Sequence, residues 1–138
     1  MVASPIKPVF WMGSSRRDLK AFPEAVQSDV GYALFGAQLG EEYGSVKALK
    51  GFGGRSVLEI VAPHDGDTYR AVYTVKFADA VYVLHAFQKK STKGIETPRR
   101  ELDLIHRRLA AAEQHHRERR KGHGEEGDKK DKDSSRGE

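Results

Sequence analysis

Two neighbouring stretches of this chain carry the residue types best suited to chemistry. TYRAVYTVKF (residues 68–77) and AVYVLHAFQKKSTK (residues 80–93) plant Arg70, Lys76, His85, Lys89 and Lys90 among aromatic and β-branched side chains. Both runs read as strands. Alternation sets Arg70, Val72, Thr74 and Lys76 on one face of the first. It sets Val81, Val83, His85, Phe87 and Lys89 on one face of the second. With the apolar face packed on helices, the other presents Arg70 and Thr74 beside His85 and Lys89. The expectation is an open, cationic sheet surface able to grip a phosphate backbone.

Such a surface suits RNA cleavage without a metal. That reaction needs a base for the 2′-hydroxyl, cations for the charge building on the phosphorane, and an acid for the departing 5′-oxygen. Arg70 and Lys89 can supply the cations. His85 titrates near neutrality and can act as acid or base, typically worth about 10²–10⁴ in rate. Glu59, on the preceding strand, is either a second base or a structural partner of Arg70. Lys47, Lys50, Arg55, Lys76, Lys90 and Lys93 are the candidate phosphate-positioning contacts.

Other chemistries are poorly served. There is no cysteine, so disulfides and thiolate chemistry are excluded. Gly51-Phe52-Gly53-Gly54 lacks the Gly-Lys-Ser/Thr ending of a phosphate loop and precedes a strand rather than a helix. His115, His116 and His123 have no carboxylate or thiol partners at a fixed metal-binding spacing. Neither a resident metal nor a cofactor is expected.

The elements that must hold these residues can be read along the chain. Residues 9–12 form a short apolar run suited to an edge strand. Ser14 or Ser15, with Asp18 following, opens a short helix over residues 16–22. Pro23 is suited to the first position of a second helix, whose buried face carries Val26, Val30, Ala33, Leu34 and Ala37. Gly31 and Gly36 in that helix suggest close approach of a neighbour, and Gly40 suggests its C-terminal stop. A short extended segment ends at Gly51. Three strands follow over residues 57–62, 69–77 and 80–88, the first two joined at Asp65-Gly66, and they imply an antiparallel meander. Thr97 and Pro98 open a last helix with Leu102, Ile105, Leu109 and Ala112 as its apolar stripe. The predicted class is α+β: a small antiparallel sheet with N-terminal helices and a C-terminal helix packed on it.

The chain has 138 residues and a formal charge of +4. Of its 24 basic and 20 acidic residues, eight and seven lie in residues 117–138, which leaves the rest at +3. A mildly basic domain fits a polyanionic partner. Two units are expected: a folded domain over residues 1–116, and a charged tail over residues 117–138 too poor in apolar residues to order itself. No leader pattern and no apolar run of membrane-spanning length occur, so a cytoplasmic protein with no membrane contact is expected.

KALKGFGGRSVLEIV, YRAVYTV and VYVLHAFQKKSTKGIETP, taken together, resemble the RelE/HigB-like toxins of type II toxin–antitoxin systems, in particular their phage-derived branch. The resemblance covers residues 8–109 and is most specific over residues 47–98. It implies a RelE-like α+β fold and a toxin that cleaves mRNA in the ribosome, so that ribosome and mRNA are partners. It also implies neutralisation by a cognate antitoxin, in this branch often a helix-turn-helix DNA-binding protein. By position, Arg70 matches the mid-strand catalytic arginine, Lys89 the cation following the last strand, and His85 the histidine of this branch. One departure stands out: RelE has a tyrosine beyond the last strand, where this chain has Gly94, Ile95 and Glu96. Two other functions remain open on the same residues. ParE-like relatives poison DNA gyrase, and a phage accessory protein can bind RNA without cutting it.

Overall fold

A computed structural model describes residues 6–89 and 97–124. Its elements are β1 (Val9–Trp11), α1 (Ser15–Lys20), α2 (Glu24–Gln38), β2 (Val46–Ala48), β3 (Val57–His64), β4 (Asp67–Thr74), β5 (Val81–Lys89) and α3 (Arg99–Gly124). The sheet has five strands in the order β1-β5-β4-β3-β2. Strands β3 to β5 form the expected antiparallel meander, β2 extends it antiparallel at the β3 edge, and β1 adds in parallel at the β5 edge. The Asp65-Gly66 hairpin turn has both residues at positive φ (50° and 83°), the left-handed geometry whose twist suits a two-residue β-hairpin.

Helices cover both faces of this sheet. On one side, α1 and α2 bury Leu19, Val26, Val30, Ala33, Leu34 and Ala37 against Leu58, Ile60, Ala71, Tyr73, Val81 and Val83. On the other, α3 lays Ile105 and Ala112, flanked by Leu102 and Leu109, on Val57, Val72, Tyr82, Leu84 and Phe87. The apolar stripe expected on α3 is therefore the one that packs.

The alternation read from β5 fails at one point. Val72 pairs with His85, but the next residue, Tyr73, pairs with Val83, so Leu84 is an extra residue in the ladder. This bulge flips the strand: Val81 and Val83 face α1 and α2, whereas Leu84 and Phe87 face α3. The shared face expected for Val81, Val83, His85 and Phe87 is thus corrected. The Arg108 guanidinium of α3 donates to the Leu84 carbonyl at 3.0 Å and to Ser14 Oγ at 3.1 Å. It lies so close over Gly13 that a Cβ there would meet it at 2.6 Å, and Gly13 also takes a φ of +55°. Arg108 therefore pins α3 to the bulge and to the β1–α1 turn, and burial lowers its pKa.

Local expectations fared unevenly. Helix α2 ends as Gly40 suggested: Gly40 N–H donates to Ala37 O at 3.0 Å and Glu41 N–H to Gly36 O at 2.8 Å. Gly36 does accept a neighbour, since a Cβ there would lie 2.6 Å from the Tyr43 ring; Gly31 faces open space. Thr97 does not cap α3. The Pro98 carbonyl takes the first N–H groups, from Glu101 and Leu102. Helix α3 also runs through residues 117–124, which were expected in the unstructured tail. Packing explains the extra length: Arg119 donates to Asp79 at 2.9 Å and lies over the Phe10 ring, and His116 stacks on Phe77. No described helix is long and apolar enough to cross a membrane.

Candidate active site

Strand register brings the candidate residues together. Lys47 on β2, Glu59 on β3, Val72 on β4 and His85 on β5 form one row across the sheet. The next row sets Val61, Arg70 and Phe87 side by side, and the end of the hairpin pairs Thr68 with Lys89. Side chains two apart on a strand share a face, so Glu59, Arg70, His85 and Lys89 all lie on the α3 side.

That face is closed over the first three, while Lys89, at the strand end, is half-buried. Glu59 is 1%, Arg70 5% and His85 6% exposed. This corrects the expected open cationic surface, and α3 is the reason: its apolar stripe seals that side of the sheet. Charges taken out of water need partners. Arg70 Nη1 lies 3.0 Å from Glu59 Oε1, and Lys47 Nζ lies 3.9 Å from the same oxygen. Thr97 donates its hydroxyl to Glu59 Oε2 at 3.3 Å. On His85, Nε2 sits 2.6 Å from Glu101 Oε1 and the ring stacks on Phe87, 4.8 Å between centroids.

Three of these features matter chemically. Glu59 is bound into a cluster of cations, which is the structural-partner alternative for that residue. Glu101 was legible only as a first-turn acid of α3, and docking of the helix turns it into the partner of His85. Finally, Arg70 Nε and His85 Nδ1 are buried without a hydrogen-bond partner among the described residues. Arg70 and Glu59 attract as charges, but their geometry falls short of an aligned hydrogen bond at Nη1. The buried guanidinium thus retains a donor able to bind an anion, and the imidazole a ring nitrogen that donates or accepts according to its tautomer.

The remaining sequence candidates scatter. Arg55 donates to both oxygens of Glu42 at 2.7 Å, beside α2 rather than at this cluster. Lys76 is ion-paired with Glu113 of α3. Lys50 is exposed beyond the end of β2. Lys90 and Lys93, and the positions where RelE carries its tyrosine, lie outside the described residues. Of the tail histidines, His115 Nδ1 lies 2.7 Å from the Tyr82 hydroxyl and His116 Nδ1 3.7 Å from Asp79. No group of three or more potential metal ligands occurs among the described residues.

Residues 17–110, a span that includes every residue of this cluster, match the family described as phage-derived protein Gp49-like (DUF891). The chain belongs to that family. Gp49-like proteins are toxin-like and related to RelE and HigB. The matched span of this Gp49-like chain runs from α1 into α3, so it takes in both helical layers and the meander. No curated protein and no solved structure matches the chain.

Proposed function

We propose that this Gp49-like protein is the toxin of a type II toxin–antitoxin system and stops translation by metal-independent cleavage of mRNA on the ribosome. The observation that carries the reading is the gathering of Arg70, His85 and Lys89 on one sheet face of a toxin-like family member. In this mechanism the 2′-hydroxyl attacks the adjacent phosphate and the 5′-oxygen leaves, giving a 2′,3′-cyclic phosphate end and a 5′-hydroxyl end. Arg70 and Lys89 stabilise the phosphorane charge. His85 moves the protons. Glu59 holds Arg70, and becomes a base only if released from it. Since Glu59 lies against Arg70 and Glu101 against His85, an incoming phosphate must displace them, and the first turn of α3 must yield. A cognate antitoxin with a helix-turn-helix domain, encoded beside the toxin, would neutralise it.

The burial of Arg70 and His85 favours a second reading, in which both are structural pins and the toxicity is of another kind, such as gyrase poisoning. Induction followed by mapping of RNA 5′ ends separates the two. The nuclease gives discrete new ends that disappear with His85→Ala. A gyrase poison gives DNA damage with intact transcripts, and an RNA-binding accessory protein gives salt-sensitive binding without cleavage.

A further inference from the structure

Helix α2 is apolar on two sides, and the fold covers only one of them. Its inner face carries the buried Val26, Val30, Ala33, Leu34 and Ala37. On the outer face, Tyr32, Phe35 and Leu39 recur at helical spacing and are 58%, 44% and 39% exposed. Three of the four large apolar side chains exposed among the described residues therefore fall on one stripe. A helix apolar all round is ordinarily buried all round. The stripe is also preorganised: Tyr43 folds back over Gly36 and stacks on Tyr32 with centroids 5.0 Å apart. Rigid aromatic area of this kind is what protein interfaces use as anchors.

Charge decides what can cover it. From residue 23 to residue 45 there is no lysine or arginine, in a chain of net charge +4, while Glu24, Asp29, Glu41 and Glu42 all occur. Glu42 is neutralised by Arg55, but Glu24, Asp29 and Glu41 are exposed and form no ion pair among the described residues. Arg16 and Lys20 of α1 border only the Gln27–Gly31–Gln38 side of α2, so along the outer stripe the unpaired acids still disfavour nucleic acid. A second copy would set the same acids against one another. We infer that the outer face of α2 docks a different protein, through an amphipathic helix whose apolar stripe is flanked by lysine and arginine. Because α2 and the Arg70–His85 cluster lie on opposite faces of the sheet, this partner leaves the cluster uncovered. The inference does not depend on the nuclease reading.

The test uses the full chain and two synthetic helical peptides sharing one leucine–tryptophan stripe, one flanked by lysines and the other by glutamates. Calorimetry is expected to show the lysine-flanked peptide binding in the micromolar range and the glutamate-flanked one at least about tenfold more weakly. Phe35→Ser with Leu39→Ser should abolish binding, and Asp29→Lys with Glu41→Lys should reverse the preference while leaving the stripe intact. Failure of the lysine-flanked peptide to bind, or indifference to flank charge, would overturn the inference. So would concentration-dependent dimerisation in light scattering that the Phe35→Ser/Leu39→Ser variant removes.

Discussion

The two faces of the sheet are built on different terms. Against α1 and α2 the buried residues are apolar, apart from Ser15, whose hydroxyl donates to the Val83 carbonyl at 3.3 Å, and the Tyr73 hydroxyl, which has no hydrogen-bond partner among the described residues. Against α3, the same sheet buries Glu59, Arg70, Thr74 and His85 among Val72, Tyr82 and Phe87. Hydrophobic packing alone suffices to hold the first layer. The second carries a buried ion pair, Arg70–Glu59, whose desolvation roughly cancels its attraction, so it is a poor way to gain stability. Polar groups retained where apolar ones would serve better point to a task other than folding.

The largest expected effect comes from splitting a pair. Arg70→Ala leaves Glu59 buried with its Thr97 hydrogen bond and the exposed Lys47 but without its buried cation, and should cost about 3–5 kcal/mol in chemical denaturation. Replacing both, as Glu59→Met with Arg70→Met, should be neutral or stabilising by about 1–4 kcal/mol. If the double variant loses as much stability as the single one, the pair is structural and the contrast between the faces loses its meaning. On the apolar face there is no such asymmetry: Ile60→Ala should cost about 2–5 kcal/mol, and no partner change should rescue it.

A smaller effect sharpens the comparison through pH. Tyr73 is the fully buried ionisable group of the α1–α2 side, and burial, reinforced by the Glu42 charge and partly offset by Arg55, pushes its pKa up to about 12. An acid whose folded pKa lies above its unfolded value resists ionisation only while folded. Its contribution is therefore fully present below about pH 10 and is lost as pH rises from there toward 12. Alkaline melts of the wild type should fall steeply across that window, and those of Tyr73→Phe should flatten; identical curves would show that the hydroxyl is not buried. The smallest effect is expected on α2, where Gly31 faces open space. Gly31→Ala should stabilise by about 0.5–1 kcal/mol, whereas Gly36→Ala, which drives a methyl into Tyr43, should destabilise.

The same comparison explains what was legible beforehand. The meander, its Asp65-Gly66 turn, the buried face of α2 and the stripe of α3 all follow from local periodicity, so each was found. The bulge at Leu84 was not, because a strand apolar at nearly every position gives no sign of where its register slips. The slip decides which of Val83, Leu84 and His85 share a face. Glu101 was missed for a related reason. An acid in the first turn of a helix is ordinary, and only the docking of α3 makes it the partner of His85. The openness of the face was misjudged because the sheet was assigned one covered side, whereas the helices at the two ends of the chain cover both. The helical course of residues 117–124 was hidden because its contacts, Arg119 with Asp79 and with the Phe10 ring, are made by a polar side chain outside any apolar rhythm.

The central claim is that Arg70 and Glu59 are kept for action on RNA and not for stability. It is tested most directly by inducing the wild type and the Glu59→Met/Arg70→Met variant in growing cells and mapping RNA 5′ ends, with the purified variant's folding checked in parallel. The account predicts growth arrest and discrete new ends from the wild type, and neither from a variant that folds at least as stably. Arrest with the same ends from the folded variant, or arrest by the wild type with transcripts intact, would contradict it.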